Sequence, residues 1–198
     1  MKISVIGGGS WGLALSTVLA LNNHDVLVYD TNQKIINKIN HLHICMQLDE
    51  NIPETITETN DIQSALKYSD VILFAVPTKV LRNALSDVIV ALDQPKLFIN
   101  AAKGIEPETF MRVSEIFKEV INPDFLKGFV ALSGPSHAEE VIKRMTTLIT
   151  AASENEKDAL FVQHLFHNND FFRVYSSTDI KGVELGGALK NIFALASG

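Results

Sequence analysis

Ile3-Ser4-Val5-Ile6-Gly7-Gly8-Gly9-Ser10-Trp11-Gly12 is the stretch on which the reading of this chain turns. A short apolar run breaks at three glycines, and a helical pattern rich in alanine and leucine then extends from Ser10 to Leu21. The spacing Gly7-x-Gly9-x-x-Gly12 has a mechanism. Gly7 permits a tight turn, Gly9 lets backbone approach a pyrophosphate, and Gly12 allows a helix to pack closely on a strand. The N-terminus of the helix adds unpaired N–H groups and the positive end of its dipole. Asp30 stands about 18 positions beyond Gly12, at the end of a second apolar run, where a carboxylate can accept hydrogen bonds from the adenosine ribose. The same charge would repel a 2′-phosphate, and Thr31-Asn32 offers no arginine to hold one. NAD is therefore the expected cofactor, with NADP possible. The alternatives are a glycine-rich turn without a ligand and a solvated strand-end carboxylate.

Outward from this stretch, apolar runs and helical patterns alternate. Asp25 to Tyr29, Val71 to Val76, Leu97 to Ala101 and Phe129 to Leu132 suit strands buried on both faces. Lys34 to Asn40, Val80 to Ala91 and Glu108 to Ile121, the last introduced by Pro107, read as helices. A β-α-β alternation predicts an α/β fold, a doubly wound Rossmann-type sheet that is mostly parallel. Thr147 to Ala152 and Phe171 to Tyr175, flanking a helix over Glu156 to His167, extend the sheet at one edge. His41 to Thr59 reads as loop. Residues 1–180 form the expected dinucleotide-binding domain, and 181–198 the first helix of whatever follows.

The chain has 198 residues and a net charge of −6, with its acidic residues dispersed. It lacks the basic footprint that a phosphate backbone or an anionic membrane requires, so neither nucleic acid nor membrane is an expected partner. A single cysteine, Cys45, excludes an intrachain disulfide, and no apolar run approaches the ~20 residues needed to span a bilayer. The start leaves no room for a signal peptide, and a cytoplasmic location is expected. His41-x-His43-x-Cys45 has metal-capable residue types at a spacing that fits no common zinc site, so no metal is expected. The 11 phenylalanines read as core material, since no basic groove accompanies them.

Further candidates sit where strands end, because ligands of open α/β sheets bind outside the carboxyl ends of the strands. Val76-Pro77 would line that crevice, or simply end a strand. Lys103, in Asn100-Ala101-Ala102-Lys103-Gly104, reaches the same edge as a partner for an anion, or as a solvated lysine. In Ser133-Gly134-Pro135-Ser136-His137-Ala138-Glu139-Glu140, the Pro-Ser pair and following acids mark a helix start aimed at the crevice. On the last helix, Leu185, Leu189, Ile192, Phe193 and Ala196 share one side and form an expected core-facing stripe. Val183, Gly186, Gly187, Lys190, Ala194 and Ser197 share the other. Two glycines inside a helix each cost about 1 kcal/mol against alanine, so a close approach is expected there. Such an approach would desolvate Lys190 and lower its pKa toward that of a general base; the alternative is a packing groove from which Lys190 snorkels to water.

These blocks together resemble one family, the bacterial-type NAD(P)-dependent glycerol-3-phosphate dehydrogenases. Ile6-Gly7-Gly8-Gly9-Ser10-Trp11-Gly12, Phe74-Ala75-Val76-Pro77, Lys103-Gly104-Ile105-Glu106, Leu132-Ser133-Gly134-Pro135-Ser136 and Glu184-Leu185-Gly186-Gly187-Ala188-Leu189-Lys190-Asn191 stand in the family's order and spacing. The resemblance implies reduction of dihydroxyacetone phosphate to sn-glycerol 3-phosphate for phospholipid synthesis. It implies contacts of Ser10, Trp11, Lys103 and Ala138 with the cofactor, and of Lys103, Gly134, Ser136 and Lys190 with substrate. Lys190 would exchange the proton. The family commonly has His or Arg just past the second strand, where this chain has Asp30-Thr31-Asn32. Members are about half as long again, with an all-helical second domain absent from residues 1–198. These residues alone are expected to bind dinucleotide and to be nearly inactive, and the complete enzyme to be a homodimer. The competing readings are a non-catalytic NAD-binding module and a related two-domain dehydrogenase of 6-phosphogluconate or 3-hydroxy acid type.

Overall fold

A computed structural model of the chain describes residues 1–197, with the side chains of all but Asn191, Phe193, Ala194 and Ser197. In chain order, β1 (Lys2–Ile6) leads to α1 (Ser10–Leu21), β2 (Asp25–Tyr29), α2 (Gln33–Leu42), β3 (Ile44–Cys45), β4 (Glu50–Asn51), β5 (Ile56–Thr59) and α3 (Ile62–Tyr68). Then follow β6 (Val71–Phe74), α4 (Leu81–Ala91), β7 (Lys96–Asn100), α5 (Val113–Val120), β8 (Leu126–Ser133) and α6 (Ala138–Ile142). The last elements are β9 (Thr147–Ala152), α7 (Glu156–Phe166), β10 (Phe172–Ser177) and α8 (Ile180–Ser197).

Eight strands form one sheet in the order β10-β9-β8-β7-β6-β1-β2-β5. Every pairing is parallel except β8 with β9. From β1 the chain first builds outward through β2 and β5, then crosses to β6 and builds the other way. That reversal leaves a crevice between β1 and β6 at their carboxyl ends. One core packs α1, α6 and α7 against the sheet through Leu15, Val18, Val141, Val162 and Phe166. The other packs α3, α4 and α5 through Leu66, Leu85, Val88, Ile116 and Phe117. On that second face, Phe74, Phe98, Phe117 and Phe129 meet edge-on or tilted at 4.9–6.1 Å between ring centres. Burial of such rings contributes on the order of 2–3 kcal/mol each. Phe110 departs from the expected core role and is 79% exposed.

Three sequence expectations are corrected. The stretch His41 to Thr59 is not all loop: β3 and β4 pair antiparallel, and β5 joins the sheet beside β2. Its run Ile56-Thr57-Glu58-Thr59 carries one apolar residue, Ile56, which is fully buried and joins the core beside Ile35 and Ile39 of α2. The helix expected over Glu108 to Ile121 begins at Val113. Before it, Glu106 accepts from Arg82 Nε (2.6 Å) and Nη2 (2.9 Å) and from the Thr109 hydroxyl, Phe110 takes φ +58°, and Ile105 bridges to Arg112. A left-handed residue and a closed bridge cannot belong to a helix, so Pro107 starts a turn.

The third correction concerns α8, whose two sides are the reverse of the expectation. Leu185 (40%) and Leu189 (38%) are exposed, as are Ile192 and Ala196, while Val183 and Gly187 are half-buried; Gly186, expected at a close approach, is exposed with nothing within 4 Å of where its Cβ would be. Phe193, Ala194 and Ser197 lie outside the described side chains. Ile180 packs into the second core, and Glu184 is 9% exposed. The close approach is at Gly187, where the helix axis lies close to the end of β8: a Cβ on Gly187 would collide with the Ser133 hydroxyl. Among the described residues, no helix is long and apolar enough to cross a membrane.

Candidate functional site

The turn after β1 is built as its spacing predicts. Gly7 takes φ +111°, a region that L side chains rarely enter, and donates its N–H to Tyr29 O at 2.8 Å. A Cβ on Gly12 would run into the Gly7 carbonyl, so the first turn of α1 can lie this close only with glycine there. Gly9 is the N-cap of α1, and no side chain caps that end. Nothing lies within 4 Å of where a Gly9 Cβ would be. The N–H groups of Ser10, Trp11 and Gly12 therefore open onto free space, the arrangement that receives a phosphate.

That space is a cleft of about 390 Å³ walled by Gly9, Ser10 and Trp11 on one side, Ala75-Val76-Pro77 below, and Lys103 and Ser136 to Glu139 opposite. Val76-Pro77 lines the crevice as expected. Around the corner a second cleft of about 270 Å³ lies among Gly7, Tyr29, Asp30, Val76, Asn83 and Asp87. Asp30 holds the glycine turn itself: its Oδ2 accepts from Gly8 N at 2.7 Å and its Oδ1 from Asn32 N at 2.8 Å. Each oxygen keeps a lone pair for a further donor. Burial raises the Tyr29 phenol above its usual pKa, and the charges of Asp87, Asp30 and Asp61 push the same way. This end of the sheet is acidic.

The other wall is cationic. Lys103 leaves the end of β7 and donates from Nζ to Ser136 O (3.1 Å) and Ser136 Oγ (3.0 Å). Lys190, from α8, donates to the same Ser136 carbonyl at 3.3 Å. Neither ammonium is paired with a carboxylate among the described residues. Burial, and to a lesser extent the neighbouring Lys190 charge, together lower the Lys103 pKa from 10.5 to about 8. Trp11 donates Nε1–H to Ala101 O at 3.1 Å and offers its ring face to Lys103 Nζ, 4.8 Å from the centre. Its indole N–H is therefore engaged, and the ring is what it contributes to the cleft.

Ser136 belongs to a tight turn, with its N–H donating to Gly134 O at 2.9 Å, and the Gly134 backbone lies against Leu148 and Ile149 of β9. α6 begins at Ala138 behind His137, with Glu139 and Glu140 in its first turn as expected; at five residues it brings only a small dipole. Behind the turn, Ser133, Gly134, Pro135, Gly186, Gly187 and Lys190 enclose about 380 Å³. The Ser133 hydroxyl there is buried and reaches no hydrogen-bond partner among the described residues. All the residues singled out from sequence lie along the carboxyl edge of the sheet. The meeting of Lys103 and Lys190 on one carbonyl was missed, because their 87-position separation carries no local signal.

The comparisons with known proteins agree over the whole length. Residues 2–159 match the family model of the NAD-dependent glycerol-3-phosphate dehydrogenase N-terminus. The chain is 48% identical over 198 residues to a glycerol-3-phosphate dehydrogenase [NAD(P)+] of Acholeplasma laidlawii and 46% identical to one of Phytoplasma australiense. All of this chain is covered, against 59% and 60% of those proteins, so it spans about three fifths of their length. Among solved structures, glycerol-3-phosphate dehydrogenase from Coxiella burnetii superposes with a TM-score of 0.85 at 27% identity, covering 99% of this chain and 59% of that one. This chain belongs to the NAD-dependent glycerol-3-phosphate dehydrogenase family and corresponds to its N-terminal part.

Proposed function

We propose that the protein reduces dihydroxyacetone phosphate to sn-glycerol 3-phosphate with NADH, and that residues 1–198 supply the cofactor site and one wall of the substrate site. The observation that carries this reading is the convergence of Lys103 and Lys190 on Ser136, beside a cleft floored by an uncapped helix N-terminus. A dinucleotide fits that cleft. The open side of Gly9 admits a pyrophosphate to the free N–H groups of Ser10, Trp11 and Gly12, Asp30 has lone pairs for ribose hydroxyls, and Ala138 and Lys103 close the far end.

When bound, the dinucleotide supplies the hydride. As the ketone oxygen of the substrate gains negative charge, one N–H bond of the Lys190 ammonium breaks and its proton passes to that oxygen, leaving a neutral amine. In the oxidising direction the amine takes the proton back. Lys103, held by Ser136, keeps a positive charge beside the developing oxyanion, which stabilises it more than the neutral ketone. Gly134 and Ser136 form the turn that orients the substrate against both lysines.

NAD is favoured over NADP because Asp30, Asp61 and Asp87 all press on Tyr29 at the ribose end, with no arginine among the described residues that line that cleft. A 2′-phosphate placed there would meet like charge. We further propose a cytoplasmic homodimer, in which residues 181–198 lead from the cofactor domain into a helical substrate domain. Two measurements test the reading. NADH titrated into residues 1–198 binds, while their turnover is far below that of the complete protein. In the complete protein, Lys190→Ala lowers turnover by about 10²–10⁴ with NADH affinity within twofold; turnover within threefold of wild type refutes the proton-exchange role.

A further inference from the structure

Glu184 stands six residues, about 1.7 turns, before Lys190 on α8, and its side chain is 6% exposed. Three donors hold it: Ser114 N at 2.7 Å, the Ser114 hydroxyl at 2.6 Å and Arg112 Nη1 at 2.8 Å. Arg112 is fixed in turn, donating to the Ser114 hydroxyl at 3.0 Å and to Glu115 at 2.6 Å. The arginine closes the segment that begins at Lys103. Along that segment the Thr78 hydroxyl donates to Lys103 O at 3.0 Å, Arg82 grips Glu106, and Ile105 bridges to Arg112. One ion pair therefore joins the segment carrying the first lysine to the helix carrying the second.

The helical geometry gives that junction a lever. Six residues of α-helix span about 9 Å and turn through about 600°, which leaves Glu184 and Lys190 about 120° apart around the axis with Gly187 midway between them. Glu184 gripped by α5, Gly187 seated on Ser133 and Lys190 on Ser136 thus lie at successive points along the inner side of α8. Rotation of the helix by one residue would carry the Lys190 amine off the Ser136 carbonyl. A buried ion pair is a poor source of net stability, since desolvation offsets its attraction, whereas fixing register is its best-attested use.

We propose that Arg112 and Glu184 are a positioning pair for the reaction, setting the rotation of α8 and hence the separation of the Lys103 and Lys190 amines. They touch neither substrate nor cofactor. The inference rests on the reading that these two lysines act on substrate, and the test separates the two.

In the complete protein, Arg112→Gln and Glu184→Gln each break the ion pair while leaving an oxygen or amide for Ser114. Each is expected to lower kcat for dihydroxyacetone phosphate at least tenfold with KM for NADH within twofold. The pH at which Lys103 titrates, followed by its rate of acylation, should rise above about 8 as the amines separate, by the part of the lowering that Lys190 adds to the larger effect of burial. The charged or titratable groups facing Lys103, namely Lys190 of α8 and His137 and Glu139 across the cleft, are unchanged in both variants. Ser114→Ala, which removes one hydroxyl and keeps the ion pair, should give a smaller change in the same direction and covers the case in which a charge variant does not fold. A purely structural role would lower the melting temperature and leave both kcat and the Lys103 titration at wild-type values, which overturns the proposal. If Lys190→Ala itself retains turnover, it is the reading of the lysines that fails.

Discussion

The glycine turn and the lysine pair face each other across one cleft, yet they are made in opposite ways. The turn is local in its decisive contact: Gly7, Gly9 and Gly12 fall within six residues, and Gly12 lies directly on the Gly7 carbonyl, while Ala75 and Val76 back Gly7 from the end of β6. The lysine pair is assembled from the end of β7, the turn before α6 and the third turn of α8, held by contacts such as Arg112 with Glu184. A local device is set by sterics and tolerates little change. An assembled one is set by the packing of three elements, and its failure leaves the fold standing.

The sharpest way to break this contrast is Gly12→Ala. A Cβ there must displace the Gly7 carbonyl, so stability should fall by about 1–3 kcal/mol and NADH affinity with it, measured by urea unfolding and titration. Unchanged stability would mean that the turn is less local than its spacing. Next in size is Asp30→Ala. Because Asp30 both ties Gly8 and presents charge at the ribose end, the NADH-to-NADPH affinity ratio should fall about tenfold, equivalent to ~1.4 kcal/mol. A ratio that stays put would move the discrimination to Asp87 and its neighbours.

On the lysine side the expected effect is smaller and depends on pH. Lys103 holds its proton less tightly in the folded state (about 8) than when unfolded (10.5), so between these values the unfolded chain binds more protons. Stability at this site therefore rises with pH from about 8 to 10.5. The urea midpoint of residues 1–198, taken relative to a Lys103→Met variant, should increase over that window; a flat difference would show the amine to be solvated. Glu58 on β5 works in the other direction. Both its oxygens are buried and reach no partner among the described residues, and burial, with the Asp30 charge nearby, raises its pKa to about 7. The folded state then binds more protons between about 4.5 and 7, and stability falls as pH rises through that range. Glu58→Gln should raise the melting temperature slightly at pH 8 and leave it unchanged at pH 4.

How much of this was legible follows the same division. Buried parallel strands announced themselves as continuous apolar runs, and the glycine turn as a fixed spacing, because each is governed by residues adjacent in sequence. β5 escaped since an edge strand needs only one apolar side chain, Ile56, to anchor it. The start of α5 was misplaced because Pro107 suits a turn as well as a first helical position, and only the long-range grip of Arg82 on Glu106 selects the turn. Individually, Lys103, Ser136 and Lys190 were visible as candidates. Their meeting on the Ser136 carbonyl was not, since no periodicity relates positions so far apart.

The reversed sides of α8 have a consequence for how substitutions would be scored. A hydropathy-weighted scan of residues 181–192 would predict the leucines to be intolerant and the glycines replaceable. In residues 1–198 taken by themselves the order inverts. Leu185 and Leu189 can become polar at little cost, because water already reaches them, whereas a methyl group on Gly187 must first turn the Ser133 hydroxyl aside. A mutational map of this helix would therefore part company with its hydrophobicity at the leucines and at Gly187, while Gly186, with open space around it, would accept a side chain.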